Sequence, residues 1–499
     1  MKSRYFLLTW IGVTACGGRP PEKFEPIGEA KIFSQVVGAG VLSAELNSFL
    51  DPLAHAQWYF KNSGQPSPKG MQGVPGADIR VGALATLPRL PSTEDVVIAV
   101  IDTGLAQNHS DLDSTRLALN PGENGLDADG RSRASNGVDD DKNGFIDDHT
   151  GWSFADNNPN TSDTLGHGTH VAGLLMARTN NGNGIATPWH GIKILPLQIF
   201  SSRHPAPTAE TIALAIRYAV ERGARVISAS FGTPSSSESM KAAIEMARER
   251  DVLFVSAVGN FRKNQDIEPS FPAGFNLDNQ ISVGATERRD LAAGFSSFGT
   301  LVDLFAPGEE ILSLGLNNDF LIRSGTSQAT PLVAAAAATA RQLLPQATAQ
   351  EIKQLLLDAA DELPGLSGFS RTARRLNVEN IIHKRTGLRQ RKFDFETWKS
   401  KSVTLESEHP YRANLRQEYT IDPPEGSRFM RLEFSHFATQ SSDTLEIIDA
   451  DNKVISLLSG ALGSLWTTVV PAQTLTLRFS SDQYVSDFGW KIGRIQYID

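Results

Sequence analysis

The sequence predicts an α/β fold, a parallel sheet with helices on both faces, followed by an all-β sandwich module. Three observations predict it. The first is a series of short apolar runs at residues 96–101, 193–199, 224–228, 252–256 and 281–283. A strand buried on both faces of a parallel sheet reads as such a run, without polar alternation. The second is the helical period of the stretches between them, at 170–178, 208–222 and 238–250. Parallel neighbours need a crossover, and helices supply it on both faces of the sheet. The third is a change of texture near the C-terminus, with alternating short runs at 429–434, 444–448, 467–470, 474–479 and 490–497. No helical period competes there.

The chain has 499 residues, 40% hydrophobic and 21% charged, with a net charge of −9. That length holds about two or three domains. The acidic balance argues against a nucleic-acid binder. Cys16 is the only cysteine, so no intrachain disulfide forms. Residues 1–15 begin Met-Lys-Ser-Arg and continue into an apolar stretch over 5–11, the layout of a secretory signal. Val13-Thr14-Ala15-Cys16 resembles the lipobox of bacterial lipoproteins. The resemblance implies lipidation of Cys16 and export to the bacterial cell envelope, held at a membrane or released; the alternative is an ordinary signal with an incidental cysteine. No later run reaches the ~18 apolar residues of a spanning helix. Residues 16–50 read as a tether or short pro-segment.

In chain order, residues 51–84 open the domain and lead to the run at 96–101, which is followed by Asp102. Sites in open α/β sheets lie at the carboxyl ends of strands, where Asp102 and Asn260 both fall. Ser324-Gly-Thr-Ser327-Gln328-Ala-Thr-Pro331 runs from a glycine turn into an alanine-rich helix. The alanines let that helix pack tightly. Ser327 stands at its start, where N–H groups lack internal partners, and Pro331 is expected in the first turn. That placement suits a nucleophile whose attack makes an oxyanion, or equally a plain N-cap. A helix at 348–363 and the segment 375–382 close the domain, 386–402 reads as a basic, polar linker, and 403–499 as the β module.

Ile-Asp102-Thr-Gly, Gly-His167-Gly-Thr-His170-Val-Ala-Gly, Gly-Thr-Ser327-Gln-Ala-Thr-Pro and Ala-Val-Gly-Asn260 occur together. With Asp102, His167 and Ser327 in that order along the chain, they resemble the motifs of subtilisin-like serine proteases, the subtilases, over residues 51–385. The resemblance implies Ser327 as nucleophile, His167 as base, Asp102 as its orienting carboxylate and Asn260 as oxyanion donor. The chemistry suits the residue types: a serine hydroxyl needs a base, and an imidazole accepts a proton near neutral pH. A zinc site of the H-E-x-x-H kind wants another spacing and a glutamate, so His170 reads as packing. By the same resemblance Ser230-Phe231-Gly232 pairs with extended substrate by strand addition. Phe271-Pro272-Ala273 borders the S1 pocket, and Phe231 with the glycines suggests that the pocket is apolar. Gln328 departs from the methionine usual after the serine, and residues 16–50 are short for the family's inhibitory pro-segment.

Between the Asp and His motifs lies an acidic loop, Asp139-Asp-Asp141-Lys-Asn143-Gly-Phe145-Ile-Asp147-Asp148. Asp139, Asp141, Asn143, the Phe145 carbonyl and Asp147 fall at EF-hand-like spacing, and hard oxygens suit structural Ca²⁺. A solvated acidic face is the alternative. Asp111 and Asn180 match a second calcium site of some subtilases. The tail, with Asp443, Asp482 and Phe488-Gly-Trp-Lys491, resembles a CUB domain, a β-sandwich for protein or glycan contact. The expected whole is a monomeric serine endopeptidase acting on protein or peptide substrates and anchored to a membrane by lipid. The competing reading is a catalytically silent surface binding protein that works through its CUB-like module.

Overall fold

The computed structural model describes residues 50–68, 70–86, 94–383, 398–440, 442–450, 452, 454–467, 470–483 and 487–498. The signal segment, Cys16, nearly all of 16–50 and most of the 386–402 linker lie outside them. Among the described residues no helix is long and apolar enough to cross a membrane.

A nine-stranded sheet carries the first part of the chain. Its strands are β1 (Val96–Asp102), β2 (Trp152–Ser153), β3 (Ile192–Gln198), β4 (Val226–Ala229), β5 (Leu253–Ala257), β6 (Gln280–Thr286), β7 (Leu304–Pro307), β10 (Asp361–Glu362) and β11 (Arg374–Arg375). They lie in the order β10-β11-β7-β6-β5-β4-β1-β3-β2, all parallel except the edge strand β10. A separate hairpin joins β8 (Ile311–Leu314) to β9 (Phe320–Arg323). The apolar runs are continuous because both faces are covered. In β1, Ile98 and Val100 enter one core cluster while Ala99 and Ile101 enter the other.

Helices α2 (Ala209–Glu221) and α3 (Glu238–Glu249) cover one face. The other takes α1 (His167–Met176), α4 (Thr326–Leu343), α5 (Ala349–Ala359) and α6 (Val378–Ile382), with Trp58, Tyr59 and Phe60 of the opening segment. Capping explains where several of these begin. Thr208, Ser237 and Asn377 each accept a first-turn N–H, and Thr348 forms a capping box with Glu351. The helix expected at 348–363 therefore starts on schedule, but it stops at Ala359 and passes into β10.

Every residue of α4 from Thr326 to Arg341 is buried. Its alanines permit this, since a helix without bulk can lie close to the sheet and to its neighbours at once. Pro331 is not in the first turn, as the sequence suggested, but inside the helix. It cannot donate to the Ser327 carbonyl one turn back, and that carbonyl instead accepts the Ser230 hydroxyl at 2.9 Å.

The C-terminal part forms two antiparallel sheets. One contains β12 (Lys399–Glu406), β20 (Gly489–Ile498), β14 (Phe429–Ala438), β17 (Leu465–Trp466) and β18 (Val470–Pro471). The other orders β13 (Arg416–Ile421), β19 (Leu475–Ser480), β15 (Thr444–Ile448) and β16 (Val454–Leu458). Inward residues of both, among them Phe434, Phe437, Leu477, Phe479 and Trp490, share one core.

Candidate active site

Asp102 closes β1 and is 2% exposed. His167 does not precede its helix, as expected from sequence, but is the first residue of α1, after Gly166 at φ +80. The two meet directly: His167 Nδ1 lies 2.7 Å from Asp102 Oδ1, which also accepts the Thr103 N–H at 2.7 Å. The backbones behind them touch as well. A Cβ added to Gly168 would lie 2.2 Å from the Gly104 carbonyl oxygen. Only glycine permits that approach of α1 to the end of β1.

Asp163, which the sequence reading passed over, ties the two motifs together. Its carboxylate accepts Thr103 Oγ1 at 2.9 Å, the N–H groups of Leu165 and Gly166 at 2.9 and 2.8 Å, and Thr169 N and Oγ1 at 2.9 and 2.7 Å. Thr103 Oγ1 in turn accepts the Gly168 N–H at 2.7 Å. The signal for Asp163 was only its place four residues before His167. Arg323 on β9 was missed too. Burial lowers its pKa, and Asp163 and Asp102 work against that shift.

Ser327 is the second residue of α4 and 2% exposed. Its Oγ donates to the Ser230 carbonyl at 3.0 Å, reciprocating the bond from Ser230 Oγ. Asn260 comes alongside: its Oδ1 accepts Thr326 N at 2.8 Å and Thr326 Oγ1 at 2.9 Å. That fixes which way the amide faces, and a Cβ on Gly325 would lie 3.2 Å from Asn260 Nδ2 and 3.7 Å from Ser327 N. The absence of a side chain at Gly325 thus leaves a small space beside these two donors, with Gln328 Oε1 nearest to it at 2.8 Å. Gln328 is buried, and its Nε2 has no hydrogen-bond partner.

The structure brings Asp102 to His167 and Ser327 to Asn260 through Thr326, with the serine hydroxyl turned to Ser230. Phe231 is 1% exposed and edge-on to Phe200, so its ring belongs to the core and is not a pocket wall. Gly232 precedes Thr233, which exchanges backbone hydrogen bonds with Phe271 at 2.7 and 2.8 Å. Pro272 follows a cis bond, and Ala273 is buried. His170 is fully buried, its Nε2 3.1 and 3.0 Å from the Ile311 and Leu321 carbonyls, and burial holds its pKa well below the usual value. It is a neutral packing residue.

Among the described residues, Glu123, Asp139 and Asp141 bring carboxylate oxygens within 4.8 Å of one another. Two of these, Asp139 and Asp141, belong to the expected ligand set, and Glu123 is added to them. Asp147 turns away to accept the Gly137 N–H at 3.0 Å, and Asn143 Oδ1 accepts the Phe145 N–H at 2.8 Å. The Phe145 ring packs edge-on to Trp152 and Tyr218. Glu123, absent from the sequence reading, is buried, and its Oε2 has no partner. Burial raises its pKa. A buried, unpaired carboxylate oxygen beside two more carboxylates is the donor set a hard cation satisfies. Asp111 and Asn180 are otherwise engaged. Asp111 accepts Asn181 Nδ2 at 2.8 Å and Ile185 N at 3.0 Å, and Asn180 Oδ1 accepts Leu50 N at 2.9 Å. In the tail, Asp443 accepts Tyr411 Oη at 2.5 Å and Asp482 N at 2.8 Å.

The sequence profile of the Subtilase family matches residues 93–387, the span that carries these motifs. The chain belongs to the subtilase family. It is 33% identical over 307 residues to the cell wall-associated protease of Bacillus subtilis (strain 168), covering 62% of this chain and 30% of that protein. It is 33% identical over 286 residues to the thermophilic serine proteinase of Bacillus sp. (strain AK1), covering 57% and 61%. Thermitase of Thermoactinomyces vulgaris is 30% identical over 312 residues, covering 62% and 93%. The chain thus spans less than two thirds of the first two relatives. Among solved structures, the proteases from Pseudoalteromonas arctica PAMC 21717 share the fold at a TM-score of 0.51 and 22% identity, over 67% of this chain and 99% of that one. In this subtilase the profile ends before the C-terminal sheets begin.

Proposed function

We propose that this subtilase is an exported serine endopeptidase that hydrolyses peptide bonds through an acyl-enzyme. The observation that carries the reading is the buried Asp102 carboxylate 2.7 Å from His167 Nδ1, with Ser327 and Asn260 held on either side of Thr326. Asp102 fixes the imidazole with Nδ1–H toward itself, leaving Nε2 as the base. For reaction Ser327 Oγ leaves the Ser230 carbonyl and donates to that nitrogen instead. His167 accepts the hydroxyl proton as Oγ attacks the scissile carbonyl, then gives it to the leaving amine. The oxyanion sits at the N-terminus of α4, where the Ser327 N–H and the Asn260 amide donate to it. The strand Ser230-Phe231-Gly232 pairs with extended substrate through its backbone, and Phe271-Pro272-Ala273 borders the pocket for the residue before the cleaved bond.

Around this centre the further assignments are a peptidase domain over 51–385, a linker at 386–402 and a CUB-like module at 403–499. Residues 1–15 are the signal, and Cys16 is the lipidated anchor of a monomeric envelope protein. Glu123, Asp139 and Asp141 hold Ca²⁺, which supplies positive charge among carboxylates that otherwise repel. A serine-directed fluorophosphonate tests the enzyme: it labels the folded protein, and Ser327→Ala abolishes both labelling and casein cleavage. Folded wild type that neither labels nor cleaves is instead the silent binding protein.

A further inference from the structure

The C-terminal sheets are docked on the segment that carries Asn260. Glu446 lies in the middle of β15, directly across from Arg478 on β19 and from Leu457 on β16. Directly paired residues of an antiparallel sheet share a face. From that face Leu457 enters an apolar cluster of the peptidase body with Val258, Ala273, Phe305 and Phe369. Glu446 Oε1 accepts Arg262 Nη2 at 2.7 Å, while Oε2 accepts Arg478 Nη1 at 3.1 Å. Val258 and Arg262 stand two residues before and two after Asn260. The sheet therefore holds the turn after that asparagine by charge, at Arg262, while Leu457 joins the apolar cluster to which Val258 also belongs. Nearby, Leu291 of the peptidase body packs in the tail's own core, and the Arg289 guanidinium joins Glu287 at 2.8 Å to Asp449 at 3.5 Å.

Arg262 is held in the left-handed region at φ +54, with its N–H on the Phe295 carbonyl at 2.9 Å. Its ion pair with Glu446 is part-exposed, at 34% and 21% of the side chains. Such a pair adds little to global stability. What it does is geometric, because it joins a turn beside the oxyanion donor to a rigid strand, and Arg478 orients the carboxylate that does so.

We infer that the C-terminal module is a fixed part of the active-site wall, with Glu446 acting through Arg262 as a positioning residue for Asn260. The inference deepens the endopeptidase reading and rests on it. Its structural half, the clamp, stands apart from any activity.

The test uses the full chain and the variants Glu446→Gln, Arg262→Gln and the double variant. Each single change lowers kcat on a peptide substrate, and the acylation rate of Ser327, by about threefold to tenfold. KM and the melting temperature stay near wild type, and the double variant is no slower than the slower single one. Hydrogen exchange quickens at the amides of Arg262, Lys263 and Gln265. A merely structural contact would lower stability and leave turnover per folded molecule unchanged. Unchanged kcat, or additive losses in the double variant, overturns the positioning role, and unchanged exchange overturns the clamp. If wild type is not acylated, the endopeptidase reading has failed, and exchange alone then decides whether the clamp exists.

Discussion

Gly168→Ala tests whether the Asp102–His167 geometry depends on backbone contact between α1 and β1. The added Cβ would stand 2.2 Å from the Gly104 carbonyl oxygen, 3.0 Å from its N and 3.2 Å from its carbonyl carbon. All three are backbone atoms, so no side chain can swing aside. A relaxed carbon–oxygen contact needs about 3.3 Å, which requires α1 to back away by roughly 1 Å. Gly104 is itself closely surrounded, at φ +104 with the Thr161 carbonyl and Gln198 Nε2 against it. His167 rides on the first turn of α1, so the 2.7 Å bond to Asp102 Oδ1 lengthens with the shift. Misplacement by 1 Å costs on the order of a hundredfold in rate. Stability moves less, because overpacking costs about 1–3 kcal/mol while alanine in a helix gains about 0.5–1 kcal/mol over glycine. The assay is kcat on a peptide substrate normalised to folded protein, beside a melting curve. Wild-type kcat in Gly168→Ala would refute the reasoning, as would a loss accounted for wholly by unfolding.

Asn260→Ala should lower kcat by about a hundredfold to a thousandfold with KM nearly unchanged, since the amide acts on charge that develops only in the transition state. Chelation should lower the melting temperature and speed autolysis, with Ca²⁺ but not Mg²⁺ restoring both, and Glu123→Gln should blunt the response; a chelator-insensitive melt would make the loop a plain acidic surface. His170 supplies a pH test. Burial depresses its folded-state pKa, so below about pH 6.5 the unfolded chain takes up a proton that the folded chain refuses. Its contribution is present above that pH and is lost as pH falls, at up to about 1.4 kcal/mol per unit. Urea midpoints at pH 7 and pH 5.5 should show that slope, and it should shrink in His170→Asn.

What the sequence disclosed follows from how each feature is encoded. β1, β3, β4, β5 and β6 were legible because burial on both faces leaves an uninterrupted apolar run. The three motif residues were legible because each stands beside glycines whose positions are fixed by close approach, as at Gly104 and Gly168. β12 and β13 were not, because their outward residues are mostly exposed and blur the alternation. β7, β8 and β9 hold four residues each, like β4, but proline, serine and arginine break their apolar runs. Glu123 escaped because a cation site is assembled by folding, and a lone glutamate upstream of the acidic loop carries no spacing signal. Asp147 shows the converse: spacing suggested a ligand, whereas its carboxylate accepts the Gly137 N–H and does not join the cluster of Glu123, Asp139 and Asp141. Pro331 likewise read as a helix start, while its effect is to free a carbonyl for Ser230.

The burial of α4 also bears on the order in which the protein is made. Asp102 and His167 leave the ribosome early, but α4 packs on β1, β4, β5, β6 and β7 together, and the last of these ends at Pro307. Chains emerge at about 5–20 residues per second, N-terminus first. For the interval before residue 343 appears, the nascent chain carries Asp102 and His167 with an open slot where α4 and Ser327 will pack. On the proposed mechanism the chain stays inactive for that time, because the proposed nucleophile, Ser327, sits on the helix that completes the core.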